Sequence, residues 1–309
     1  MTSAGAQKIW SEFPWNRFAG FIAPQADRFG ILKSLTEELN LNSVVISIQG
    51  NRHFFVFPKG RNIKAAGGGF PFRGQSPVIL AAHYDRVPGS PGANDNSAAV
   101  FQLLKTVQRL EKLGAAYWIV IFTDKEELQK GEGIQDQGAF TLAEKLRHWG
   151  LGDARVFIFD ACGTGDTLIV SSATDYFLKN DERPGIRKAR QLIQALRDHA
   201  LKTARQLHLD RVLLIPTSFS DDAGFLRAGI PAQTITTLPS GEAAPYAGLL
   251  RKRPEFAELL ISGAIAKTAD RLLIPETWRS INGPSDSHLR LTPESYERII
   301  RFAAELCRE

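Results

Sequence analysis

Six residues between positions 83 and 160 have the side chains and the spacing to hold a metal ion and move a proton. An apolar run, Val78-Ile79-Leu80-Ala81-Ala82, stops at His83-Tyr84-Asp85, and ten residues after Asp85 comes Asp95, in Gly92-Ala93-Asn94-Asp95-Asn96. A second apolar run from Ala116 to Phe122 leads into Thr123-Asp124-Lys125-Glu126-Glu127, and a third, ending at Phe159, stops at Asp160. Neutral imidazole and carboxylate oxygens are the donors a zinc-type divalent ion takes. A charged residue at a single strand end usually just faces water. Three such ends on one rim, joined by a loop carrying Asp95, are hard to explain that way. Glu126 and Glu127 are adjacent and point different ways from a strand end, so one can bind a metal while its neighbour handles a proton.

Positioning those groups is the task of the strands that precede them. Continuous apolar runs read as strands buried on both faces, and in open α/β sheets the rim at the strand ends is where ligands bind. Further strands are predicted at 44–48, 54–57, 168–171, 212–215 and 232–236, and a glycine-rich turn at Gly67-Gly68-Gly69 leads to the strand ending at His83. Helical spacing marks 24–40, 95–113, 137–149, 186–207, 222–228 and 294–306, the last with Thr292 as N-cap and Pro293 at its first position. Strands alternating with helices predict an α/β fold: a mixed, mainly parallel central sheet sandwiched by helices in three layers. The chain reads as a single catalytic domain over 1–309. Its least legible stretch, 238–285, carries five prolines or glycines that break pattern (Pro239, Gly241, Pro245, Pro254, Pro275) and reads as a cap or insertion with a helix over 259–273.

Composition narrows the function classes. The 309 residues are 43% hydrophobic and 23% charged, ordinary for a globular protein with a sizeable core. The formal charge of +5 is spread along the chain without a basic block, which argues against nucleic acid as a partner. Two cysteines, Cys162 and Cys307, indicate no disulfide framework. The N-terminus lacks the pattern of a signal peptide, and no apolar run is long enough to span a membrane. The expectation is a cytoplasmic protein with no membrane partner.

The order His-x-Asp, Gly-Ala-x-Asp-Asn, Glu-Glu, Asp resembles the zinc exopeptidase family of secreted bacterial leucyl aminopeptidases, glutaminyl cyclases and the transferrin-receptor ectodomain. Ser220-Asp221-Asp222-Ala223-Gly224-Phe225 with Gly229-Ile230-Pro231 is similar to a later segment of that family. Pro284-Ser285-Asp286-Ser287 with Pro293-Glu294 resembles its closing motif. The resemblance implies zinc, one ion or two. His83 and Asp160 would bind one ion, and Asp95 would bridge to a second held by Glu127. Glu126 would be the general base and acid, and Asp85 would orient His83 through its other ring nitrogen. It also implies a peptide or small amide substrate, cleaved as by an aminopeptidase. The alternatives are a glutaminyl cyclase-type acyltransferase and a non-catalytic binding protein on the same scaffold.

The chain departs from the pattern at the last ligand. Where the family has histidine, this sequence has Asn282, and His288 lies six residues too late. Three arrangements follow: His288 swings in, the Glu127 corner is weak or empty, or Asn282 or a neighbour such as Asp286 completes an altered second site. Asp222 stands where the family has a histidine near the substrate. His53, His148, His199 and His208 read as surface or core residues, Cys162 as no nucleophile, and Trp278 as a candidate pocket wall.

Overall fold

The computed structural model describes residues 15–61, 76–179, 185–262 and 264–308. The predicted turn at Gly67-Gly68-Gly69 lies outside them. The helices are α1 (Trp15–Ile22), α2 (Arg28–Glu38), α3 (Ala98–Leu113), α4 (Gly138–His148), α5 (Ala173–Leu178), α6 (Ile186–Gln206), α7 (Asp221–Arg227), α8 (Ser240–Lys252), α9 (Pro254–Ile261), α10 (Glu276–Ser280) and α11 (Pro293–Leu306). The strands are β1 (Asn42–Ile48), β2 (Asn51–Phe57), β3 (Val78–His83), β4 (Trp118–Thr123), β5 (Arg155–Phe159), β6 (Thr167–Ser171), β7 (Val212–Ile215) and β8 (Ala232–Leu238).

The eight strands form one sheet in the order β1-β2-β4-β3-β5-β8-β6-β7. Its centre, β4-β3-β5-β8, is parallel, with antiparallel pairings at β1/β2, β2/β4 and β6/β8. The central strands are apolar because both of their faces are covered. Leu80, Ala82, Val120 and Phe157 join the core under α1, α2, α3, α6 and α11, while Ile79, Ala81, Ile121 and Ile158 join the one under α4 and α7. Burying each large aliphatic or aromatic side chain there contributes about 1.5–3 kcal/mol. The architecture is therefore mixed α/β in three layers, as the alternation of apolar runs predicts.

Register and crossover then set the working rim. From β3 the chain crosses through α3 to β4 on one side; from β4 it returns through α4, on the opposite face, to β5 on the other side. A crevice opens at the strand ends where the winding reverses like this. Ala81 pairs with Ile158, and the same offset two residues on sets His83 level with Asp160.

Several predicted boundaries shift. The helix expected from 95 begins at Ala98, because Asp95 and Asn96 have non-helical backbone angles (φ −117°, ψ 91° and φ −133°, ψ 30°). The helix expected from 24 begins at Arg28, where Asp27 caps it by accepting from the Gly30 N–H at 3.0 Å. The helix expected over 259–273 is not one element: α9 ends at Ile261, and two 3₁₀ turns follow at Ala264–Lys267 and Ala269–Leu273. The stretch read as irregular instead holds α8, which tolerates Pro245 inside it, and α10. Among the described residues no helix is long and apolar enough to cross a membrane.

Candidate metal centre

Three elements deliver three ligands to one point. His83 is the last residue of β3, Asp160 follows β5, and Asp95 sits in the loop before α3. His83 Nε2 lies 3.1 Å from Asp95 Oδ1 and 3.6 Å from Asp160 Oδ1. One donor atom from each residue fits within 4.8 Å of the others. A tetrahedral zinc at 2.0–2.2 Å from nitrogen and oxygen ligands separates its donors by about 3.4 Å, so these distances bracket what an ion requires. His83 Nε2 and Asp160 Oδ1 are buried and make no hydrogen bond, which leaves donor atoms aimed at a shared point. The donor set fits a divalent ion. The surroundings are strongly negative: against the cost of burial, the carboxylates of Asp160, Asp85 and Asp95 raise the His83 pKa, a field that favours a cation at this point.

The loop carrying Asp95 is held on every side. Asp286 accepts from the backbone N–H groups of Asn94 (2.8 Å) and Asp95 (3.1 Å). The Asn96 amide donates to Phe159 O at the end of β5 (2.8 Å), and Gly163 N–H donates to Asn94 Oδ1 (2.7 Å). The Asp95–Asn96 peptide bond is cis. From below, the buried Arg28 guanidinium donates to the carbonyls of Phe21, Tyr84, Asp85, Pro91 and Gly92 and to Ser97 Oγ. Burial lowers its pKa to about 9. Arg86 adds bonds to Ile22, Ala23, Pro24 and Pro91 carbonyls. Sequence reasoning missed both arginines: nothing in their spacing signals that five carbonyls converge on one of them.

Asp85 works in two directions. Its Oδ1 lies 3.4 Å from His83 Nδ1, on the side of the ring away from Asp95. Its Oδ2 accepts from the N–H groups of Glu126 (3.0 Å) and Glu127 (3.3 Å), tying the loop after β4 to β3. Burial opposes ionisation of Asp85, yet the His83 ring and these two N–H groups hold its pKa below the usual value. The neighbouring backbone is locally unusual. Lys125 before Glu126 and Ala161 after Asp160 both have positive φ (60° and 49°), uncommon for residues with a side chain. Such outliers cluster at functional sites.

Glu126, Glu127, Asp95 and Asp160 share the wall of a cavity of about 560 Å³. Burial, then repulsion from Asp160 and Asp95, pushes the Glu126 carboxyl well above its usual range, while Glu127, less enclosed, is pushed up by burial to about 7. The far wall comes from the 238–285 stretch: Leu260, Ile265, Ile274 and Trp278 line it, with Trp278 edge-on to Tyr246 at 5.5 Å.

A model of peptidase family M28 matches residues 68–268, about two thirds of the chain. The chain belongs to this family. M28 membership supports a metal-dependent hydrolase and implies zinc. Solved structures repeat the fold at low identity. A Bacteroides thetaiotaomicron glutaminyl cyclase bound to N-acetylhistamine has a TM-score of 0.60 and 15% identity over 100% of this chain and 98% of that one. The Legionella pneumophila aminopeptidase LapA has 0.59 and 14%, over 98% and 72%. BSAP, a zinc aminopeptidase from Bacillus subtilis, has 0.53 and 19%, over 82% and 49%; this M28 chain spans about half its length. Among curated proteins none matches the sequence.

The remaining candidates of this M28 chain take the following positions. Asp286 accepts from backbone N–H groups of the Asp95 loop, and burial pushes its carboxyl to about 6. His288 sits in a 3₁₀ turn and lines no part of the cavity. Asp222 is buried beneath the site, accepting from Ser220 N–H at 2.9 Å, and does not face the cavity. His53 is fully buried, and burial lowers it to about 4, so it is a neutral core residue. His148 and His208 are exposed, and His199 meets Leu306 O at 3.1 Å. Cys162 is buried, with its thiol bonded to the Ile235 and Asp160 carbonyls and pushed up by burial, which suits packing rather than attack.

Proposed function

We propose that the protein is a zinc-dependent aminopeptidase-like hydrolase that removes N-terminal residues from peptides or splits a related small amide. The observation that carries this reading is the convergence of His83, Asp95 and Asp160 at the edge of a cavity that also exposes Glu126. His83, Asp95 and Asp160 would hold the ion. Bound there, such an ion polarises a carbonyl and makes a nearby water more acidic. Glu126 is the general base: its carboxylate takes the proton of the attacking water and returns it to the departing amine. A raised pKa brings that carboxyl closer to the range where it can do both. Asp85 orients His83 and, through two N–H groups, the loop that carries Glu126 and Glu127. Glu127 and the other rim carboxylates offer a partner for a substrate ammonium. Residues 238–285 act as a cap within a single catalytic domain, and their apolar wall would receive the substrate side chain.

Hydrolysis of amino-acid anilides tests this. Release is expected to depend on metal and to fall by roughly 10²–10⁴ in Glu126→Gln, the range typical of a positioned acid–base group. Equal rates in parent and variant would remove Glu126 from the mechanism. A glutaminyl cyclase-type acyltransferase is the second reading, favoured by the match of lengths with the Bacteroides thetaiotaomicron enzyme. Cyclisation of an N-terminal glutaminyl peptide without anilide hydrolysis would select it.

A further inference from the structure

The cavity beside the metal cluster carries both signs of charge. Four carboxylates line it, those of Asp95, Glu126, Glu127 and Asp160, and so do two arginines, Arg271 and Arg279. Arg271 comes from the 3₁₀ turn Ala269–Leu273 and Arg279 from α10. Among the described residues neither guanidinium makes an ion pair or a hydrogen bond, and Arg279 Nε is buried without an acceptor. Acids stand close to both in sequence, but each is committed to another arginine, outside the cavity lining. Asp270, beside Arg271, takes a two-pronged contact from Arg253 at 3.0 and 3.2 Å. Glu276, three residues before Arg279, accepts from Arg290 at 2.9 Å. Glu242 ties α10 further by accepting from the Thr277 N–H and hydroxyl, both at 2.9 Å. The backbone that presents Arg271 and Arg279 is thus fastened by ion pairs and hydrogen bonds, while their own charges are left for a group that enters the cavity.

We propose that Arg271 and Arg279 bind a carboxylate of the substrate, so that the site prefers an acidic short peptide to a neutral one. Guanidinium is the side chain best matched to a carboxylate, because it offers parallel N–H groups in a planar fork. A buried donor without an acceptor costs free energy that an incoming carboxylate recovers. The apolar neighbours Leu260, Ile265, Ile274 and Trp278 suit the hydrocarbon stem that carries such a group. Charge also orients the substrate: carboxylates at the strand ends disfavour another acid beside them, and the arginines attract it. Two sources supply the same pair of oxygens: an acidic side chain and the free C-terminus of a short peptide.

This inference rests on the aminopeptidase-like reading, but its test reads binding and needs no turnover. Ketomethylene analogues, in which carbon replaces the scissile nitrogen, cannot be cleaved. Two pairs are titrated by calorimetry into the zinc-loaded, full-length protein. The analogue of glutamyl-leucine amide against that of glutaminyl-leucine amide isolates the side-chain source. The analogue of alanyl-leucine against that of alanyl-leucine amide isolates the C-terminal one. In one pair the acid is expected to bind about tenfold tighter than its neutral partner, as for a hydrogen bond to a charged group. That margin is expected to vanish in Arg279→Met and to shrink in Arg271→Met. The neutral analogue should bind parent and variants equally, which also shows that the variants fold. A margin in the first pair or in the second supports the proposal and names the source. Equal binding of acid and neutral in both pairs would overturn it. So would a margin that survives in the double variant, as from a carboxylate seated on zinc. Failure of all four analogues to bind would overturn it as well, and anilide hydrolysis by the same preparation then decides whether the metallohydrolase reading stands.

Discussion

The half of the site built on strand ends and the half built on the 238–285 stretch are held by different means. His83, Asp160 and the Glu126-Glu127 pair leave the sheet at fixed registers, and the intervening Asp95 loop is bonded to Phe159, Asp286 and Arg28. The 238–285 side reaches the cavity through short helices and 3₁₀ turns, and it contributes apolar Leu260, Ile265, Ile274 and Trp278 beside Arg271, Arg279 and Asn282. Ion-holding chemistry needs positions accurate to a fraction of an ångström, which a parallel sheet supplies through its hydrogen-bonded ladder. An apolar wall asks only for volume and shape. The strand half is therefore expected to set whether the protein works on an amide, and the cap half on which one.

Substitutions can break that division of labour. Asp85→Asn should have the largest effect, because it weakens the partner of His83 Nδ1 and loosens the Glu126-Glu127 loop. Metal affinity is expected to fall by roughly 10–100-fold, as for outer partners of ligating histidines, measured by chelator competition. An unchanged affinity would mean that the sheet register alone orients His83. Next is the acidic burden of the strand half. Asp221, which accepts a hydrogen bond from Thr123 Oγ1, is driven by burial up to about 7. The folded chain then keeps a proton that the unfolded chain has lost, so this group's contribution to stability is largest near pH 4 and declines as pH rises to 7. Replacing it by Asn should remove about 2 kcal/mol of the decline between pH 5 and 7, read from urea unfolding with the metal chelated. A slope equal to the parent's would show that the carboxyl is not held neutral.

The smallest effect belongs to the cap. Trp278→Ala should raise KM by about tenfold, equivalent to about 1.4 kcal/mol, with bound zinc unchanged and kcat little altered. A loss of zinc in this variant would erase the distinction between the halves.

The same contrast explains what could be read in advance. Apolar runs stopping at His83, Glu126 and Asp160 are local signals, because a strand buried on both faces must be continuously apolar and its charged terminus must lie at the rim. The start of α3 at Ala98 is not legible from side-chain spacing, because spacing does not report the non-helical backbone angles of Asp95 and Asn96; nor does it show that 264–273 folds as two 3₁₀ turns rather than one helix. α8 was hidden by Pro245, which a helix tolerates when tertiary packing of Tyr246 and Ala247 compensates.

From the residues alone came the layered α/β architecture and the set of groups able to bind an ion, since composition and period are written along the chain. Only folding decided that Asp286 accepts from backbone N–H groups of the Asp95 loop and that His288 lies outside the cavity lining. It also decided that Arg28 gathers five carbonyls beneath the Asp95 loop. Those outcomes depend on contacts between residues as much as 192 positions apart, and no local pattern encodes which of several nearby polar groups will meet.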